Sequence, residues 1–192
     1  NVVCDGVGNN WMTVIAAADR RILVLRRANG TWARYPAFTK SGNPWTNFMD
    51  NPIDQCLAID PLGSLWSAVM QDRVPLGVVS FDNRRAVGDT ICDYHLTADD
   101  GLPSNGVTTV VSDLEGQIWI GTDRGIGIVT DPANPKRSGG IASYVPLRGT
   151  VVNCIAVDPL NQKWVGTSEG VVVLSPDGTQ QIGAYTVAST NG

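Results

Sequence analysis

Apolar residues in this chain occur in short runs of strand length, separated by polar segments rich in glycine, aspartate and asparagine. The clearest runs are "VTTVVS" (107–112) and "VNCIAV" (152–157). Runs like these, β-branched and apolar on both faces, are typical of strands buried on both sides of a sheet. No segment has the periodicity of an amphipathic helix, and even "TVIAAADRRILVLRR" (13–27) is predicted to form two strands around "AADRR". The pattern predicts an all-β protein.

One unit recurs four times along the chain. In each copy an aspartate follows an apolar run, and a tryptophan comes six positions after the aspartate. The pairs are Asp5 and Trp11, Asp60 and Trp66, Asp113 and Trp119, and Asp158 and Trp164. Three positions after each aspartate stands a residue that tolerates positive φ, namely Gly8, Gly63, Gly116 or Asn161. The aspartates are therefore predicted to form tight turns and the tryptophans to fill gaps between sheets.

Each unit is predicted to fold as four antiparallel strands. In the third copy "QIWIGT" is the returning second strand, "TDRG" a tight turn and "IGIVT" the third strand. Gly121 and Gly166, which follow Trp119 and Trp164 in the motif Trp-x-Gly-Thr, are predicted to let a neighbouring sheet approach closely. A four-stranded sheet repeated in this way is the blade of a β-propeller. The predicted blades are 1–52, 53–105, 106–150 and 151–192.

Four blades are the lower limit for a closed ring. We therefore expect this chain to be a segment of a larger ring, for example a seven-bladed one, or of a longer chain. Two copies forming an eight-bladed ring are the alternative. An open arc would leave apolar blade faces in water, which favours self-association.

Composition and charge narrow the classes of function. The chain has 192 residues, of which 43% are hydrophobic and 17% charged, and its net charge is −4. An acidic chain is a poor candidate for nucleic-acid binding, and no apolar run approaches the ~20 residues that span a bilayer. A local cluster of five arginines is expected to be a solvated face, with a phosphate- or sulfate-bearing partner as the minor alternative; its members are Arg20, Arg21, Arg26, Arg27 and Arg34.

The cysteines and the single histidine give little support for a metal site. Cys56 and Cys154 occupy the same position two units apart, so they are not expected to pair with each other. Free cysteines, here with Cys4 and Cys92, are expected mainly as small buried hydrophobes. The chain has no C-x-x-C motif, and His95 is its only histidine. We therefore predict no metal site and no cofactor.

The third and fourth units resemble a known repeat family. "GLPSNGVTTVVSDLEGQIWIGTDRGIGIV" (101–129) resembles the repeat of two-component-regulator propellers. "VVNCIAVDPLNQKWVGTSEGVVVLSPDGTQQIGAYTVAST" (151–190) looks closer still to the PorZ-type propellers of the type IX secretion system. Over 1–100 the resemblance is carried by the aspartate and tryptophan positions alone, because Trp-x-Gly-Thr has become "WMTV" and "WSAV".

The resemblance implies a non-enzymatic binding module in the periplasm or at the bacterial cell surface. A PorZ-like role would assist type IX secretion or surface attachment through contacts with proteins, glycans or lipopolysaccharide. The alternative within the family is the periplasmic sensor propeller of a hybrid two-component histidine kinase. Alternatives from other classes are a propeller lyase or hydrolase, and a purely structural scaffold.

Residues suited to catalysis are sparse in this sequence. His95 lies in "CDYHLTADDG", which is predicted to be an outer strand and is expected to place the imidazole at the surface. Asp99 and Asp100 are adjacent, and adjacent residues of an extended chain point apart, so they make poor acid–base partners. We predict no catalytic residue.

If a ligand binds, the expected place is the face that carries the turns between second and third strands and the loops that join blades. Trp45, in the predicted inter-blade loop "TKSGNPWTNF", could stack on a sugar ring. A solvated rim is the competing interpretation, and the recurring aspartates belong to the opposite face. The candidate ligand-binding residues are Asp72, Arg73, Asp99, Asp100, Asp123, Arg124, Glu169 and Trp45.

Overall fold

The structure is a computed structural model that describes residues 2–16, 20–35, 38–40, 43–45, 56–71, 73–82 and 92–186. These residues form four four-stranded antiparallel sheets, a separate two-stranded hairpin and two short 3-10 helices, Ala98–Asp100 and Val145–Leu147. Within these ranges no helix has the length and hydropathy needed to cross a membrane. The predicted all-β fold class is confirmed.

Each sheet is a simple meander in which consecutive strands are neighbours. Sheet 1 contains β1 (Val2–Cys4), β2 (Asn10–Ala16), β3 (Arg20–Arg26) and β4 (Trp32–Tyr35). The hairpin follows as β5 (Phe38–Lys40) and β6 (Asn43–Trp45). Sheet 2 contains β7 (Leu57–Ile59), β8 (Ser64–Gln71), β9 (Val74–Asp82) and β10 (Tyr94–Leu96). Sheet 3 contains β11 (Val107–Ser112), β12 (Ile118–Thr122), β13 (Gly125–Val129) and β14 (Ile141–Ser143). Sheet 4 contains β15 (Val152–Val157), β16 (Lys163–Thr167), β17 (Val171–Leu174) and β18 (Gln181–Tyr185).

The first strands of successive sheets contact one another in chain order: β1 contacts β7, β7 contacts β11 and β11 contacts β15. The sheets therefore pack face to face in sequence, with their first strands on the inner side, as the blades of a propeller do. Sheets 1 to 4 fall within the ranges 1–52, 53–105, 106–150 and 151–192 respectively. The blade boundaries themselves remain predictions.

The recurring aspartate has two tasks, one for each carboxylate oxygen. In sheet 3, Asp113 Oδ1 accepts hydrogen bonds from the backbone N–H groups of Glu115 (3.0 Å) and Gln117 (2.9 Å), which fixes the turn. Its Oδ2 accepts a hydrogen bond from the indole Nε1 of Trp119 at 3.0 Å. The same indole bond joins Trp66 to Asp60 at 2.9 Å and Trp164 to Asp158 at 3.1 Å. The six-residue spacing therefore couples the turn to the tryptophan orientation, a link that the turn prediction did not include.

The tryptophans fill the spaces between sheets, as predicted, in three of the four units. Trp11, Trp66 and Trp119 are buried, whereas Trp164 is 39% exposed and stacks on Tyr185 at 6.1 Å between ring centroids. The contrast has a physical cause, because Trp119 is covered by the turn of the next sheet. A Cβ built at Gly178 in that turn would lie 2.3 Å from Trp119 Cη2. Trp164 lies on the corresponding face of sheet 4.

The glycine after the tryptophan allows close packing. A Cβ at Gly121 would lie 2.5 Å from Thr109 Cγ2 in its own sheet and 2.7 Å from Val152 Cγ1 in sheet 4. A Cβ at Gly166 would meet the Sγ of Cys154, its neighbour within sheet 4, at 2.6 Å. The predicted approach of a neighbouring sheet is thus present at Gly121, while at Gly166 the close neighbour belongs to the same sheet.

The four cysteines are thiols rather than disulfides, and their environments differ. Cys56 is buried, Cys92 and Cys154 are partly buried, and Cys4 is exposed. The expectation of small buried hydrophobes therefore fits Cys56 and is wrong for Cys4, whose short edge strand has an exposed face.

A buried lysine joins sheets 3 and 4. Lys163 Nζ lies 2.9 Å from Asp113 Oδ2, and both side chains are fully buried. The ammonium also donates to the carbonyl oxygen of Pro176 and lies 4.8 Å from the ring centroid of Trp119. Asp113 therefore receives hydrogen bonds from its own turn and its own tryptophan, and it forms an ion pair with the next sheet.

Candidate functional site

The turns between second and third strands lie at the same end of the sheets as the segments that join sheets. In sheet 3, the backbone N–H of Gly149, in the segment leading to sheet 4, donates to the carbonyl oxygen of Arg124 at 2.8 Å. On the other side, the N–H of Asp123 donates to the carbonyl oxygen of Gly106 at 2.9 Å. These bonds fix the β12–β13 turn between the segments that enter and leave sheet 3.

A cleft of about 360 Å³ opens at this end of sheet 3. Three segments distant in the sequence form it: the segment before β11, the β12–β13 turn, and the segment after β14. Its lining residues are Gly101, Leu102, Pro103, Arg124, Gly125, Ile126, Ser143, Tyr144, Arg148 and Gly149. We call this site the sheet 3 cleft.

The β12–β13 turn that carries Arg124 is fixed by a threonine. Thr122 Oγ1 donates to the carbonyl oxygen of Gly125 at 2.9 Å and accepts from the backbone N–H of Arg124 at 3.1 Å. Gly125 has φ +126°, and a Cβ there would lie 3.0 Å from the carbonyl oxygen of Leu147. The glycine therefore permits both the turn and its contact with the segment that carries Arg148.

The cleft is lined with hydrogen-bond donors. Arg124 and Arg148 are both exposed, and neither has an ion-pair partner within the described part of the chain. Tyr144 is only 6% exposed, and its hydroxyl has no hydrogen-bond partner among the described residues. Burial raises the pKa of Tyr144, so the phenol stays protonated at neutral pH and remains a donor.

An equivalent cleft of about 260 Å³ occurs in sheet 4. Its turn has the same chemistry, since Thr167 Oγ1 donates to the carbonyl oxygen of Gly170 at 3.0 Å and accepts from the N–H of Glu169 at 3.1 Å. Glu169 thus occupies the position of Arg124, and Tyr185 that of Tyr144. The repeat preserves the shape of the turn and reverses the charge at the position of Arg124.

The predicted ligand-binding residues are not all brought together. Arg124 lines the sheet 3 cleft and Glu169 the sheet 4 cleft, while Arg73 lies in the β8–β9 turn with φ +66°. Asp123 is exposed beside Gly106, where a Cβ would lie 2.7 Å from its Cγ. Asp72 and the side chain of Trp45 lie outside the described residues.

The two adjacent aspartates stand apart from the cleft lining. Asp100 Oδ2 accepts hydrogen bonds from the backbone N–H (2.9 Å) and the hydroxyl (3.0 Å) of Thr97, and its Oδ1 pairs with Lys136 at 2.8 Å. Burial acts to raise the pKa of Asp100, but the hydrogen bonds from Lys136 and Thr97 lower it overall. These contacts give Asp100 a structural task at a turn, while Asp99 is exposed.

Arg148, Tyr144 and Ser143 were missed by the sequence analysis. They lie in and after β14, in the segment "SYVPLRG" that connects sheets 3 and 4. This segment joins two blades, as do the loops that were predicted to bind a ligand. Its position between two repeats was therefore the signal in the sequence.

The histidine is held by the backbone. His95 Nε2 lies 2.6 Å from the carbonyl oxygen of Leu76, to which it donates, on the outer strand of sheet 2. No group of histidine, cysteine and acidic side chains within the described ranges has a geometry that could hold a metal ion.

Comparison with solved structures identifies the fold. PorZ, a bacterial surface component of the type IX secretion system of Porphyromonas gingivalis, is 22% identical with a TM-score of 0.68, over 100% of this chain and 27% of PorZ. The extracellular domain of BT4673 from B. thetaiotaomicron, described as a one component system, is 18% identical with a TM-score of 0.71, over 98% of this chain and 24% of that one. A protein described as a gluconolactonase is 15% identical with a TM-score of 0.54, over 87% of this chain and 54% of that one.

These similarities show a β-propeller fold, and the predicted likeness to PorZ and to the extracellular domains of regulators is confirmed at that level. The chain spans about a quarter of the length of the PorZ and BT4673 structures. No protein-family model matches the sequence. No curated protein matches it either.

Proposed function

We propose that this chain is a non-enzymatic, extracytoplasmic β-propeller binding module that takes a ligand at the sheet 3 cleft. The role it fits best is PorZ-like, assisting secretion or surface attachment through protein, glycan or lipopolysaccharide contacts. The periplasm or the cell surface is the proposed location. The similarity to a surface component and to an extracellular domain supports this proposal, although fold alone does not fix function.

The observation that carries the proposal is the composition of the cleft. Arginine, tyrosine and serine residues line a concave site together with apolar residues, which is the usual composition of a binding pocket. Catalysis by proton transfer would require a general base within reach of a substrate. The lining offers donors and hydroxyl groups but neither a carboxylate nor an imidazole.

Two alternatives have specific support. The likeness to BT4673 favours a sensor propeller of a regulatory protein. The likeness to a gluconolactonase keeps a hydrolase as the rival from another class. A reading frame that continues into a transmembrane helix and a kinase would favour the sensor, and one that continues into a small sorting domain would favour the PorZ-like role.

The binding proposal is tested with a panel of oligosaccharides and lipopolysaccharides, measured by titration calorimetry on the wild type and two variants. Ser143→Trp fills the cleft, while Ser138→Trp places the same side chain on an exposed loop outside it. We expect at least one ligand to bind the wild type and Ser138→Trp but not Ser143→Trp. Absence of all binding at millimolar ligand, with the fold intact, would leave only a scaffold role. Release of cleaved products would instead support the hydrolase.

A further inference from the structure

Building on the proposed function, we infer that the sheet 3 cleft selects ligands that carry an anionic group, namely a carboxylate, sulfate or phosphate, on a body the size of one sugar ring. Arg124 and Arg148 would hold the anion, Tyr144 would donate a further hydrogen bond, and the apolar wall would pack against the body.

The two guanidinium groups project from neighbouring backbone segments. The carbonyl oxygen of Arg124 accepts the N–H of Gly149 at 2.8 Å, and a Cβ at Gly125 would lie 3.4 Å from the Cα of Arg148. The backbones that carry the two arginines are thus neighbours, both residues line the cleft, and neither has an ion-pair partner among the described residues. An anion between them would relieve their repulsion and form charge-assisted hydrogen bonds, which are stronger than neutral ones.

Tyr144 adds a further polar side chain to the cleft. Its ring is buried, but its hydroxyl is not among the fully buried polar atoms that lack a partner, so the hydroxyl reaches the solvent of the cleft. Here the described residues supply no partner, and the side chain lines the cleft. The phenol is protonated at neutral pH, since burial raises its pKa further, and it can therefore donate a hydrogen bond to an anionic ligand.

The positive charge is specific to this cleft. Sheet 4 builds the same threonine-fixed turn with Glu169 in place of Arg124. The turn therefore does not need an arginine to form. The equivalent position carries opposite charges in two neighbouring repeats, which indicates different ligand preferences.

The apolar residues and the volume of the sheet 3 cleft limit the part of the ligand that carries the anionic group. Leu102 and Ile126 are buried beneath the cleft, and Pro103 forms one side. A volume of about 360 Å³ lies at the lower end of the range for small-molecule sites. The site accordingly suits a single ring with one charged substituent rather than a long polymer segment held along its length.

The test compares one sugar with and without an anionic group, and an anion without the sugar. Binding of glucose, glucuronate, glucose 6-phosphate and inorganic phosphate is measured by titration calorimetry at two salt concentrations. We expect the two charged sugars to bind at least about tenfold more tightly than glucose, and their affinity to fall as salt rises. Inorganic phosphate is expected to compete with the sugars but to bind more weakly than glucose 6-phosphate, because it leaves the apolar wall empty.

Matched variants locate the effect. Arg124→Gln and Arg148→Gln should each weaken binding of the charged sugars about tenfold and reduce their preference over glucose, and Tyr144→Phe should weaken binding of the charged sugars several-fold. Arg137→Gln is the control, because Arg137 pairs with Asp131 at 3.7 Å on a loop outside the cleft. A thermal unfolding curve for each variant confirms that it is folded.

Equal affinity for glucose and glucuronate would overturn the anion preference while leaving a sugar site in place. Unchanged binding in both arginine variants would also overturn it. If none of the four probes binds to the folded protein, the inference fails, and the proposed function is then judged separately by the Ser143→Trp screen.

Discussion

At the residue scale, the repeat depends on side chains that satisfy several partners at once. Asp113 fixes its turn with one oxygen and holds Trp119 and Lys163 with the other. The lysine is the unusual member, because the corresponding positions before Trp66 and Trp119 hold Leu65 and Ile118. A buried cation is tolerated there because a carboxylate, a carbonyl oxygen and the face of an indole surround it.

Replacing this lysine should be costly. We expect Lys163→Met to lower the free energy of unfolding by about 3–5 kcal/mol, because it leaves a buried carboxylate without its cation. The matched control is Lys136→Met, which breaks the more exposed pair with Asp100 and should cost about 1 kcal/mol or less. Urea unfolding of the two variants makes the comparison, and equal losses would show that the buried pair contributes no more than the exposed one.

A carboxylate in the β17–β18 turn should titrate far below its usual range. The hydrogen bond from the Ser175 hydroxyl, followed by those from the N–H and hydroxyl of Thr179, lowers the pKa of Asp177 from 3.8 to about 2. Since the folded pKa lies below the unfolded one, ionised Asp177 stabilises the fold fully above about pH 4. That contribution is lost as the pH falls from 4 towards 2.

Carboxyl ¹³C NMR titration measures this pKa directly. Ser175→Ala should raise the pKa of Asp177, because it removes the largest of the lowering hydrogen bonds. In urea unfolding, the stability difference between wild type and Asp177→Asn should shrink as the pH falls from 4 to 2. A wild-type pKa near 3.8 would contradict the assignment of these hydrogen bonds.

At the element scale, each sheet is completed by the sheet that follows it. The hairpin turns fix the strands locally, while the faces are buried only by packing against a neighbouring sheet. The β17–β18 turn shows how close this packing is, since its Gly178 lies directly on Trp119. A glycine at this position serves both the positive φ of the turn and the contact between sheets.

A pair of glycine variants separates these two requirements. Gly178 and Gly139 have similar φ values, +69° and +72°, but a Cβ at Gly139 would have nothing within 4 Å. Alanine at either site should incur the backbone penalty, whereas only Gly178→Ala should also push against the indole. We expect Gly178→Ala to be less stable than Gly139→Ala by about 1–3 kcal/mol in thermal or urea unfolding. Equal stabilities would mean that the contact between sheets relaxes without cost.

At the scale of the whole molecule, the outer faces of sheets 4 and 1 resemble the two faces that pack together between sheets 3 and 4. Sheet 4 presents Trp164, 39% exposed, in the place where sheet 3 presents the buried Trp119. Sheet 1 carries "ANGT" (28–31) where sheet 4 carries "PDGT" (176–179), so Gly30 corresponds to Gly178. A Cβ at Gly30 would have nothing within 4 Å. We therefore expect the two outer faces to be complementary.

We accordingly expect sheet 1 of a second copy to cover Trp164 in solutions of this chain. Sedimentation velocity should show association that rises with protein concentration and weakens in Trp164→Ser and Gly30→Asn. Asparagine tolerates positive φ, so Gly30→Asn blocks the approach with little strain in its turn. Gly139→Asn is the matched control and should associate like the wild type. A monomer at all concentrations would show that these faces do not recognise each other.

The sequence by itself determined the strands, the turns and the repeat, because these depend on residues close together in the chain. The spacing from aspartate to tryptophan fixed the unit, and Arg124 could be placed at the correct end from strand order alone. Only the tertiary structure showed that Arg124, Tyr144 and Arg148 line one cleft and that Lys163 is buried against Asp113. Those contacts depend on how the sheets and connecting segments pack. Packing brings together residues that are far apart in the sequence, and no repeating pattern of residues marks such pairs.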